Sequence, residues 1–146
     1  MNLVAEEVKK SLETEKENIK NNNWITHSIC VGDTAGKIAK ALDLDDNYAK
    51  VLWYIHDIGK IFGCNNYEGV IPHAINGYNY IKSLGYDDNY AGICIKHSFL
   101  NNDINCLSND RDYTDTNNEN YDFIKNYLIK EYTIYDKIIN LCDLMC

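Results

Sequence analysis

The sequence predicts an all-α fold, a single-domain bundle of six to seven helices. Three observations carry this. Apolar residues recur at steps of three and four through most of the chain. No stretch of any length alternates apolar and polar residues as a strand would. The chain holds 1 proline in 146 residues, with no Pro-rich linker and no internal repeat to divide it. That length predicts one domain over residues 1–146 with enough chain to bury a core.

Residues 2–20 pattern as an amphipathic helix, with Val4, Val8, Leu12 and Ile19 between Glu and Lys. It reads as a packing helix over the core. Asn21-Asn22-Asn23 is a break. A second helix runs from about Trp24 to Leu42, and His27, Val31, Thr34, Ala35, Ile38 and Leu42 share one stripe of it. His27 therefore lies on the core face. The third helix, about Asp46 to Ile58, is apolar on nearly every side in its second half, Val51-Leu52-Trp53-Tyr54-Ile55. That describes a central helix covered by the others. It delivers His56-Asp57, and Gly59 suits its C-terminus.

Residues 61–71, with Gly63 and Gly69, read as a loop. Pro72 then starts the fourth helix, where a missing N–H costs nothing. His73 falls in its first turn, where the helix dipole disfavours the imidazolium. Ile75, Tyr78 and Ile81 continue it and Gly85 ends it. The fifth helix, about Asp88 to Ser98, carries Tyr90, Ile93, Cys94 and His97 on one stripe. Residues 101–120 are rich in Asn, Asp, Ser and Thr and predict a long polar loop, a lid or a disordered insertion. The sixth helix is roughly Tyr121 to Lys130. The seventh starts near Thr133, an N-cap residue, and runs through Ile134, Tyr135, Ile138, Ile139 and Cys142, with Asp143 one turn after Ile139.

Composition narrows the function classes. A net charge of −8 argues against nucleic-acid polymers and anionic membranes as partners. The abundance of Asn, Tyr, Ile and Lys reads as a compositional bias of the genome. The 6 cysteines form no Cys-x-x-Cys pair and no small-scaffold spacing, so a reducing cytoplasm is the expected home. Charge throughout residues 1–20 speaks against a signal peptide there, and no apolar run is long enough to span a bilayer.

One set of residues demands compensation. An imidazole beside a carboxylate, carried inward by an apolar helix, is costly to bury alone. The inward polar groups are His27, His56, Asp57, His73, His97 and Asp143, which include all 4 histidines of the chain. Imidazole nitrogens with carboxylates suit divalent transition metals: iron, manganese, cobalt, nickel or zinc, with magnesium a further option. Six donors exceed what one ion with an open position needs, and fit two ions sharing a bridging carboxylate.

The order His27, then His56-Asp57, then Asp143 resembles the HD-domain superfamily of metal-dependent phosphohydrolases. His56-Asp57-Ile58-Gly59-Lys60 resembles the usual HDIG form of its central motif. His73 and His97 are similar to the extra histidines of the subgroup that holds two metals. The resemblance covers residues 24–146 and implies an all-α bundle with the metals at its centre. It implies that His27, His56, Asp57 and Asp143 hold the first ion, that Asp57 bridges, and that His73 and His97 complete the second. The implied chemistry is attack of a metal-activated hydroxide on phosphorus, with Asp57 and Lys60 as the catalytic residues. Lys60 would neutralise charge on the phosphoryl oxygens.

The implied substrate is a small phosphorylated compound, a nucleotide above all. The paired-histidine and Gly-Tyr-Pro element of the cyclic-dinucleotide phosphodiesterases is absent. The run from His56-Asp57 through His73-x-x-x-Gly77 looks more like the small bacterial enzymes that hydrolyse dinucleoside polyphosphates, from which Ser98-Phe99-Leu100-Asn101 departs. Two other activities share these ligands: a di-iron oxygenase, and a non-catalytic metal-binding module. Asp143 lies near the last residue, where helix ends fray. The expectation is a clipped chain, or a second copy of it, as in a homodimer, bracing that turn.

Overall fold

The segment Val51–Ile55 is buried on all sides, as its unbroken apolar run requires. The computed structural model describes residues 2–62, 70–104 and 119–145. Among them the elements are α1 (Ala5–Asn18), α2 (Asn23–Ala41), α3 (Asp46–Ile55), a 3₁₀ turn (Ile58–Phe62), α4 (Val70–Ser83), α5 (Asp88–Lys96), a short 3₁₀ turn (Leu100–Asn102), α6 (Glu119–Tyr127) and α7 (Ile134–Met145). The architecture is all-α, as the pattern predicted. No helix among the described residues is long and apolar enough to cross a membrane.

The bundle is layered around α3. The Asp45 carboxylate caps it, accepting from the Tyr48 N–H at 2.9 Å. Its faces are covered by α2, α1, α5 and α7. The larger core cluster joins Ile25, Val31 and Ala35 of α2, Val51–Ile55 of α3, Ile93 and Cys94 of α5, and Ile138, Ile139 and Cys142 of α7. Each large apolar side chain fully buried there contributes about 1.5–3 kcal/mol. A second, smaller cluster of Ala74, Ile95, Phe99, Ile124, Tyr127 and Leu128 fastens α6 to α4 and α5. Ala74, directly after His73, and Phe99, two residues after His97, belong to it.

The structure corrects several boundaries. α3 ends at Ile55, not Ile58. His56 is its C-cap and Asp57 opens a turn into the 3₁₀ segment. Gly59 is therefore not a left-handed helix end; among described glycines only Gly85 has positive φ, at 92°. Gly59 is required for close approach instead. A Cβ there would stand less than 2 Å from the His73 carbonyl oxygen and 2.7 Å from the Gly77 nitrogen. Pro72 is the third residue of α4 rather than its first, still within the turn whose N–H groups lack intrahelical acceptors. α5 ends at Lys96 with His97 as C-cap. α6 begins and ends earlier than its apolar pattern suggested. Thr133 does cap α7, with Asp136 reciprocating: the Asp136 N–H donates to Thr133 Oγ1 at 3.2 Å, and the Thr133 N–H to Asp136 Oδ2 at 2.8 Å. Most of the loops expected at 61–71 and 101–120 lie outside the described residues.

α6 is also held electrostatically. Asp88 accepts from Lys130 at 2.7 Å, Tyr127 at 3.0 Å, and Tyr78 and Lys82 at 3.1 Å each. Burial alone would raise its carboxyl. The hydrogen bonds from Lys130, Lys82, Tyr127 and Tyr78 outweigh that and hold it well below the usual carboxylate range. The stability it lends is present above its ordinary value of 3.8 and is lost as the pH falls below it toward the folded value. After allowing for solvent screening of a group about one-third exposed, Asp88→Asn is expected to cost about 1 kcal/mol at neutral pH. Urea unfolding of both proteins at about pH 7 and about pH 3 should show that gap narrowing in acid. A gap that is constant or grows in acid refutes the role of the carboxylate.

Candidate metal centre

All six histidine and aspartate residues singled out by the sequence converge, and they do so as two donor sets. His27, His56 and Asp143 form one. Asp57, His73 and His97 form the other. Within each set the donor atoms lie within 4.8 Å of one another. Five elements supply them: α2, the end of α3 with its turn, α4, the end of α5, and α7.

The backbone fixes the rings. Nδ1 of His56 donates to the Trp53 carbonyl, and Nδ1 of His97 donates to the Ile93 carbonyl at 3.1 Å. A carbonyl can only accept, so both rings carry their proton on Nδ1 and turn the Nε2 lone pair inward. Nε2 of His56 is buried and has no hydrogen-bond partner among the described residues. It stands 3.5 Å from Oδ2 of Asp57. Trp53 packs edge-on against the same ring at 4.5 Å between centroids.

The second set is tight. Nε2 of His73 and Nε2 of His97 are each 3.3 Å from Oδ1 of Asp57 and 3.4 Å from one another. Donors bound to one ion at about 2.1 Å stand about 3.0–3.4 Å apart for octahedral to tetrahedral angles. The triangle has that size. The first set is held by the contact between His27 Nε2 and Asp143 Oδ1 at 3.2 Å. Asp57 turns one oxygen to each side: Oδ1 to His73 and His97, and Oδ2 to His56 and to the Lys60 ammonium.

Protonation states suit cation binding. Burial pushes His56 down to about 4, and burial likewise lowers His73. Both rings are neutral at neutral pH. Burial would raise the Asp57 carboxyl, but the nearby His56 ring and the hydrogen bond from His73 outweigh it and hold the carboxyl well below the usual range. Burial would raise Asp143 too, and the hydrogen bond from His27 overrides it. That same bond raises His27. The site thus offers two ionised carboxylates and, at His56 and His97, imidazoles with inward lone pairs, and it leaves a buried nitrogen unsatisfied. These residues fit a divalent cation.

A pocket of about 400 Å³ opens onto both sets, lined by His27, Asp57, Lys60, His73 and Asp143 together with Asn23, Trp24 and Ser98. The last three are not singled out by the donor pattern. Their signal is positional: Asn23 and Trp24 sit one turn before His27 on α2, and Ser98 directly follows His97.

The family model of the HD domain matches residues 24–145. The chain belongs to the HD-domain family. Members of that family are typically metal-dependent hydrolases, and the buried His/Asp cluster of this HD domain could hold such a metal. No curated protein and no solved structure matches the chain.

Proposed function

We propose that this HD domain is a metal-dependent phosphohydrolase of the HDIG type that holds two ions and cleaves a nucleotide or another small phosphoester. The observation that carries the reading is the donor triangle of Asp57, His73 and His97, sized for an ion and joined through Asp57 to a second His/Asp set. His27, His56, Asp57 and Asp143 would hold one ion, and Asp57, His73 and His97 the other. Divalent ions supply two things there: a water made acidic enough to yield a nucleophile at neutral pH, and positive charge against the phosphoryl oxygens.

The chain supplies the rest. Asp57 serves both donor sets with one side chain. His56 and His97, locked by backbone carbonyls, present fixed Nε2 atoms. Lys60 places an ammonium on the pocket wall, where it adds positive charge toward a bound phosphoryl group. The pocket volume falls in the range of small-ligand sites. The acidic net charge of −8 supports a small substrate over a nucleic-acid polymer. Among the described residues, the thiols of Cys30 and Cys94 form no disulfide, which supports a cytoplasmic home.

The test begins with elemental analysis of protein purified without chelator. p-Nitrophenyl esters, nucleoside mono- to triphosphates, cyclic nucleotides and dinucleoside polyphosphates are then screened with Fe, Mn, Co, Ni, Zn and Mg in turn. Hydrolysis that vanishes on chelation and returns with metal is expected. Silence toward every compound with every metal overturns the proposal. His73→Ala and His97→Ala are each expected to spare one ion and weaken the other by about 10- to 100-fold, read by metal titration. Full metal content and full rate in both variants would rule out the two-ion arrangement.

A further inference from the structure

Lys96 ends α5 and immediately precedes His97. Its ammonium turns away from the donors and reaches the start of α7, donating to Asp136 Oδ2 at 2.9 Å and to the Glu131 carbonyl at 2.7 Å. The two side chains are 12% and 7% exposed, far more enclosed than Lys9–Asp33 or Lys130–Asp88. The same Oδ2 of Asp136 accepts the Thr133 N–H that caps α7. One carboxylate oxygen therefore ends one helix contact and begins another helix. The Asp136 carbonyl in turn accepts from Asn140 Nδ2 at 2.9 Å, and that amide also donates to the Tyr132 hydroxyl.

Asp143 lies seven residues beyond Asp136 on the same helix, about 10 Å along its axis. α7 acts as a rod. Its first turn is pinned to the end of α5 beside His97, and its last turns present Asp143 to His27 at 3.2 Å. His97 and Asp143 belong to different donor sets and lie at the ends of different helices, and this pair spans between those helices. Enclosed ion pairs are poor stabilisers, because desolvation offsets their attraction; fixing register is their best-attested use.

We propose that Lys96 and Asp136 are positioning residues that hold His97 and Asp143 at the separation two ions require. This rests on the two-ion reading above. Among the described residues the side-chain hydrogen bonds and ion pair of Lys96 and Asp136 go to one another, to Glu131 and to Thr133, so an effect on metal binding is expected to pass through the helices.

Metal-free wild type and K96M/D136N are titrated with Co²⁺, followed by visible absorption and calorimetry, with thermal unfolding in parallel. The Asn at position 136 keeps an acceptor for the Thr133 N–H. The expected result is a cooperatively folded variant that binds the first Co²⁺ within about threefold of wild type and the second at least about tenfold more weakly. A variant with a lowered unfolding midpoint but both affinities unchanged marks the pair as merely stabilising and overturns the proposal. A wild type that takes up no Co²⁺ overturns the metal reading itself. If K96M/D136N fails to fold, D136N carries the same test by the same criterion, since Lys96 retains the Glu131 carbonyl.

Discussion

Asp57→Ala is expected to empty both donor sets and lower hydrolysis by at least about a thousandfold. Among the described residues no other side chain faces both sets: Oδ1 faces His73 and His97 at 3.3 Å, and Oδ2 faces His56 and Lys60. The fold should survive. The variant removes a buried charge rather than stranding one, because His56 and His73 are held neutral by burial and the Lys60 side chain keeps 28% exposure. Elemental analysis, turnover and circular dichroism on one sample separate these outcomes. A folded Asp57→Ala protein with two ions and native turnover would sink the shared-ligand model.

Gly59→Ala is the second large effect. The new methyl would meet the His73 carbonyl oxygen and the Gly77 nitrogen, both backbone atoms of α4 that cannot rotate aside. The strain is expected at or above the upper end of overpacking costs, about 3 kcal/mol, which lowers Tm by about 10 °C in a domain of this size. Part of the strain should push α4 outward and carry His73 away from Asp57. Loss of one ion should therefore accompany the loss of stability. Native Tm with native metal content in this variant would show that the approach of the Gly59 turn to α4 is not needed.

Gly59 shows what a local sequence pattern does not carry. His27, His56, His73, His97 and Asp143 were legible because each shares a stripe or helix end with residues that must be buried, and burial of a polar group is a local inference. Ile58 extends the apolar pattern of α3 by one more step, so nothing local signals the change from α to 3₁₀ winding after Ile55. The demand for Gly at 59 comes from the surface of α4, more than ten residues away. It therefore passed for a helix terminus. The Lys96–Asp136 pair was hidden for the same reason: its partners are 40 positions apart, and each alone looks like a solvated charge. Thr133 was visible as a cap because a cap is written into adjacent residues. Asn23, Trp24 and Ser98 border the pocket only through tertiary placement.

The Nδ1 anchors of His56 and His97 have a further consequence. Rings already clamped by their own helices have little orientational freedom left to surrender when a cation arrives. Such a seat can neither contract nor swivel to suit every visitor, so it sorts them by coordination preference. In the proposed site imidazole nitrogen outnumbers oxygen, which favours the borderline transition ions and disfavours magnesium and calcium, whose hard shells want oxygen on all sides. Discrimination of that kind is exercised before any phosphate enters.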